Sequence, residues 1–187
     1  MYQGWERLSA DIGESHANYP VLLAFRSPQP YRSWVVAMLA VMDGAAMHLS
    51  LSPVDAPPEA RLVLRATFTA LRDIADVVGI GYDPDPRPGA PIQLSYDEFE
   101  RGVEHIKDAG FLPERKTEDA WPHFQGWRVS YESIVYALAR RVDAVPALWS
   151  GPRDWATDKM PPIRPPHRRP DAPDVPDAPS PFYKTED

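Results

Sequence analysis

Ser33-Trp34-Val35-Val36-Ala37-Met38-Leu39-Ala40-Val41-Met42-Asp43-Gly44-Ala45-Ala46-Met47-His48-Leu49-Ser50-Leu51 is the stretch on which the fold turns. From Trp34 to Met42 it is apolar without a break, and Asp43 and His48 then interrupt it. A membrane span needs about 20 consecutive apolar residues. An aspartate near the middle of one costs about 2.5–3.5 kcal/mol on insertion scales. The stretch therefore reads as a helix buried on nearly all sides at the centre of a bundle, with a helix lying against a membrane as the alternative. Asp43 inside such a helix must be a buried acid satisfied by an arginine or a helix-end amide, because an unpaired carboxylate there would not stay charged. Arg26, Arg32, Arg65 and Arg72 are the candidate partners.

Working outward, residues 6–17 form a short first helix with Leu8, Ile12 and either Trp5 or Ser9 on its apolar face. Tyr19-Pro20 ends it, since the residue before proline is pushed out of the α region. Residues 21–25 make a brief strand or a buried helical turn. On the other side, Asp55-Ala56-Pro57-Pro58-Glu59 has the chemistry of a helix start: a capping acid, prolines in the first turn and an acid at the positive end. The helix should run to Val78 and stop at Gly79 or Gly81. Leu62, Ala66, Thr69, Ala70, Ile74, Val77 and Val78 are its expected buried stripe. Residues 82–91 hold four prolines and read as a stiff spacer or binding arm.

Ser95-Tyr96-Asp97-Glu98 has the spacing of a capping box, opening a helix to Gly110 with Phe99, Val103 and Ile106 inward. Thr117-Glu118-Asp119 starts another turn that Pro122 or Gly126 should interrupt. Residues 130–142 form the last helix, with Ile134, Leu138 and Val142 at helical spacing. Period-two alternation is absent, so the expected class is all-α, a compact bundle of about five to six helices.

The sequence has 187 residues, 43% apolar and 25% charged, near the globular average. Of its 23 prolines ten fall in residues 152–187. The organisation expected is a helical body over residues 1–151 and a proline-rich tail, extended or disordered, over 152–187. A net charge of −7 leaves no general polyanion-binding surface, which argues against nucleic acid. With no cysteine, disulfides, cysteine nucleophiles and zinc fingers are excluded, and the composition fits a reducing compartment. The first residues lack a basic region followed by an apolar run, so no signal peptide is expected.

Chemistry is sparse. There is no Gly-rich phosphate loop, no His-Glu-x-x-His and no nucleophile elbow. Asp11, Glu14, His16, Asp43, His48, Asp73 and Asp76 are the possible metal ligands, but no Glu-x-x-His pair of the di-metal bundle type occurs among them. No cofactor or metal is expected. His16 reads as a packed, hydrogen-bonded histidine, and His123 as a packing residue beside Trp121 and Trp127. Those tryptophans, with Trp149 and Trp155, either clamp the last helix or form a partner surface. Arg61, Arg65 and Arg72, at i, i+4 and i+11, keep to one side of the third helix. The stripe should pair with acids of the protein, or else bind an anionic ligand or lipid headgroup.

Residues 14–23 (Glu-Ser-His-Ala-Asn-Tyr-Pro-Val-Leu-Leu), Phe25-Arg26-Ser27-Pro28 and Ser33-Trp34 resemble the cytosolic region of actinobacterial ion-channel-like proteins. The likeness continues through Ala60-Arg61-Leu62, Leu71-Arg72-Asp73-Ile74-Ala75, Tyr82-Asp83-Pro84-Asp85-Pro86, Trp121-Pro122-His123-Phe124 and Gly126-Trp127-Arg128-Val129, over most of the chain. In such proteins two membrane helices and a potassium-channel-type pore precede the domain. This chain has no Thr-Val-Gly-Tyr-Gly-like filter and no pair of spans, so it does not itself conduct ions. The resemblance implies a non-enzymatic cytoplasmic domain that assembles or regulates such a pore, homo-oligomeric and partnered by the channel region. A metal-dependent helical-bundle enzyme and a free-standing adaptor with a proline-rich tail are the alternatives.

Overall fold

A computed structural model describes residues 1–25 and 32–151. Six α-helices and no strand are found among them: α1 (Tyr2–Asn18), α2 (Trp34–Leu51), α3 (Pro58–Val78), α4 (Tyr96–Asp108), α5 (Thr117–Arg128) and α6 (Glu132–Arg141), with a 3-10 turn at Pro20–Ala24. The expected all-α bundle is thus observed. The proline-rich tail and the arginine at 26 lie outside the described residues.

The α2 helix occupies the centre, touching α1, α3, α5 and α6. It is long and apolar enough to cross a membrane by length and composition, yet 61% of it is buried inside the protein. Val35, Met38, Met42, Ala45, Ala46 and Leu51 are fully buried. The Ser33 hydroxyl caps its start by accepting from the Val36 amide.

Two faces differ in part from expectation. On α1 the residues buried are Ser9 and Gly13, while Leu8 is 43% exposed. On α3 Val63, Leu64, Thr67, Leu71 and Ala75 join Ala70 and Ile74 inside, while Leu62 and Val77 are about half exposed. These helices meet through small residues. Ser9 Oγ lies 2.8 Å from Thr67 Oγ1, and a Cβ placed on Gly13 would stand 2.7 Å from that of Ala70. The seam is made by serine, glycine, threonine and alanine: Ser9 and Ala70 stand on the expected faces, Gly13 and Thr67 do not, and the buried face of α3 is turned toward Val63, Leu64 and Leu71.

The connections are tied down by side chains. Asp55 does not cap α3, whose N-cap is Pro57; instead the Glu114 carboxylate accepts the amides of Val54 and Asp55, and the Leu51 carbonyl accepts those of Glu114 and Arg115. Gly79 ends α3 in the left-handed conformation, φ 70°. The proline-rich stretch after it is no free arm: Arg72 donates to the Pro84 carbonyl, Tyr82 to Asp76, and Gln125 to the Ala90 carbonyl. Ser95 and Glu98 form the full capping box of α4, and the Ser95 amide holds the Glu98 carboxyl below its ordinary pKa. Neither Pro122 nor Gly126 interrupts α5. Pro122 is on the exposed side, where the one lost helix bond is least costly.

Candidate functional site

The end of α5 places Arg128, fully buried, at the junction of α2, α6 and the chain's turn after residue 146. Every arm of its guanidinium is used. Nε donates to Glu132 at 2.9 Å, Nη1 to Asp43 at 2.5 Å, and Nη2 to the Tyr136 hydroxyl at 2.8 Å and the Trp149 carbonyl at 2.7 Å. Tyr131 donates to the other Asp43 oxygen at 2.8 Å. Glu132 also accepts the amides of Gln93 and Leu94, which locks the segment entering α4. Trp149 sits at φ 61°, a left-handed conformation unusual for a bulky residue, and its ring packs against Phe124 and Gly102.

Asp43 is therefore the buried acid read from the sequence, but its arginine is Arg128. Arg32, Arg65 and Arg72 do not reach it. Position 128 carries a signal of its own, an Arg-x-x-x-Glu pair at i, i+4 beside an apolar helix; the eighty-odd residues separating it from Asp43 hid the partnership.

Burial pushes the Asp43 carboxyl up to about 6 from an ordinary 3.8, against the lowering effects of the Arg128 charge and the Tyr131 hydrogen bond. Two carboxylates share one guanidinium here, and Glu132 adds to the rise. Burial works to lower Arg128, but the Asp43 charge together with Tyr131, Tyr136 and the Glu132 hydrogen bond outweighs it and raises the pKa above its ordinary value, so the guanidinium stays charged. Burial, then the Asp43 charge, raises the Tyr131 phenol. The folded state binds the Asp43 proton more tightly than the unfolded chain does. That contribution to stability is complete below pH 3.8 and is lost as pH rises through about 6. Relative to Asp43→Asn, the wild type should lose stability between about pH 4 and pH 7. Urea unfolding of both proteins across that range measures it; a difference that is flat, or grows with pH, contradicts the assignment.

Tyr131 has a second role. Its ring lines a surface cleft of about 360 Å³ between α2, α3 and the end of α5. Met42, Leu64, Phe68 and Trp127 form the apolar walls, and Arg61, Arg65 and Ser130 bring the polar groups. Positions 61, 64, 65 and 68 share one helix face at i, i+3, i+4 and i+7. Arg61 and Arg65 are exposed and have no hydrogen bond or ion pair among the described residues. The expected pairing of these two with acids of the chain does not occur there. Arg65 also edges a separate groove between α1 and α3 that carries Glu6, Glu14 and Asp73.

The other sequence candidates scatter. Arg72 leaves the stripe to stack on Phe68 and Tyr82, 4.9 and 5.0 Å from their ring centres. Trp121 joins Tyr96, Phe99 and Phe124 in an aromatic cluster between α4 and α5. His123 is exposed and outside that cluster, contrary to its reading as a packing residue, because position 123 falls on the outer face of α5. His16 packs on Trp34 at 4.7 Å with Nδ1 near the Ile12 carbonyl and the Ser15 hydroxyl. No group of three or more His, Asp or Glu placed to hold a metal occurs among the described residues. Comparison with protein-family models, with the curated proteins and with the solved structures finds no match, so the site is read from its own chemistry.

Proposed function

We propose that this chain is a binding domain rather than an enzyme, an assembly or regulatory unit that acts with a potassium-channel-like membrane protein at the cytoplasmic face. The observation that carries the binding reading is the cleft: two arginines with no partner among the described residues and a tryptophan 38% exposed gather around apolar walls. Tryptophan and arginine together are what dominates recognition surfaces. The groups with the most perturbed acidity, Asp43, Arg128 and Tyr131, face one another inside the bundle and serve its packing. The channel association is supported by the sequence stretches that resemble such proteins, two of which, those holding Arg61 and Trp127, reach the cleft.

Photo-crosslinking from position 127 in the producing cells is expected to tag a protein with two spans and a potassium-type filter, and removal of the chain is expected to alter potassium flux. The purified chain should sediment as an oligomer. Unchanged flux without the chain, together with a strict monomer at high concentration, overturns the channel association.

A further inference from the structure

We infer that the cleft lined by Arg61, Leu64, Arg65, Phe68, Trp127 and Tyr131 takes an amphipathic organic monoanion, an apolar body ending in one carboxylate, as a free small molecule. The inference rests on the binding reading above and adds the ligand.

Charge comes first. The chain carries −7 overall, yet the two charged side chains at the mouth are both guanidinium groups without a partner among the described residues. They stand one helical turn apart, so one carboxylate can lie between them and accept charge-assisted hydrogen bonds from both. Size comes second. A volume of about 360 Å³ falls in the range of small-molecule sites and equals roughly a dozen water-sized groups. The accessible apolar wall comes from Phe68 and Trp127, with Met42 and Leu64 buried at the cleft.

The number of negative charges is also constrained. Of the hydroxyls at the cleft, that of Tyr131 is already donated to Asp43, which leaves Ser130 to supplement the arginines. A phosphate would bring up to two negative charges where a carboxylate brings one. It would also feel Glu6, Glu14 and Asp73 in the groove that Arg65 shares. A single carboxylate with a long apolar body meets every one of these conditions.

Isothermal titration of the full chain with decanoate, decanol, inorganic phosphate and phosphatidylglycerol vesicles tests the inference. Decanoate should bind about tenfold more tightly than decanol, and Arg61→Gln/Arg65→Gln should remove about that tenfold while leaving decanol binding unchanged. Both arginines are exposed and have no partner among the described residues, so the double variant should keep its melting temperature, which checks that the fold is intact. Equal binding of decanoate and decanol, undiminished decanoate affinity in the double variant, or binding of phosphate or vesicles in place of decanoate would each overturn it. Should decanoate fail while position 127 still crosslinks to a channel, this inference falls and the channel association stands; should decanoate bind while potassium flux ignores the chain, the reverse holds.

Discussion

Arg128→Met should cost about 3–5 kcal/mol, the range for removing one member of a buried ion pair, which is a large part of the 5–15 kcal/mol that holds a typical domain folded. The methionine fills the space, but Asp43 and Glu132, respectively 5% and 4% exposed, are left as two carboxylates with no counter-charge. Arg128→Lys should rescue little, because a single ammonium cannot reach Asp43, Glu132, Tyr136 and the Trp149 carbonyl at once. Replacing the three charges together, with Arg128→Met, Asp43→Leu and Glu132→Gln, should recover much of the loss, since the penalty lies in stranded charge. Thermal unfolding would show the single change as a drop on the order of 10 °C. Near-identical melting of Arg128→Met and wild type would mean the network is solvated.

Phe124→Ala is expected to cost about 3–5 kcal/mol as well, by a different route. Phe124 is fully buried, with ring centres of Phe99 at 4.7 Å, Trp149 at 5.9 Å and Trp121 at 6.1 Å. Truncation leaves a cavity that three rigid rings cannot close, and it removes the face beneath the Arg128 guanidinium, 5.9 Å from the ring centre. Phe124→Leu should cost less, because most of the volume returns. The tertiary near-ultraviolet dichroism of the tryptophans should weaken in the alanine variant more than helix content does. Full retention of that signal with unchanged stability would show that α4 and α5 are held together elsewhere.

The parts of this fold that can be read along the chain are those set by neighbours in sequence. The apolar run of α2, the Ser95–Glu98 box and the glycine after α3 each act within a few residues, and each stands where the pattern puts it. The seam between α1 and α3 is not legible in that way, because a Gly13 against an Ala70 carries no hydrophobic signal in either helix alone. Residue types suggested a buried acid at 43 and an arginine for it, but the choice among arginines is made by how α5 crosses α2. The cleft shows the same division. Arg61 and Arg65 stand out by spacing and Trp127 by composition; that they share one hollow with Met42 and Tyr131 depends on three helices meeting.

The turn at Trp149 gives the folding of this domain a direction in time. Its carbonyl accepts from both Arg128 and Tyr136, and a chain made from its N-terminus delivers that acceptor after all six helices have been synthesised. Asp43 waits 85 residues for its cation, and the cation waits 21 more for the last of its acceptors. A nascent chain that has only reached α6 therefore holds a guanidinium whose Nη2 has Tyr136 but still lacks the Trp149 carbonyl, and water must serve the remaining N–H. Completion of the bundle and emergence of its last turn become a single event, which keeps a half-made domain from settling early into a sealed but wrong arrangement.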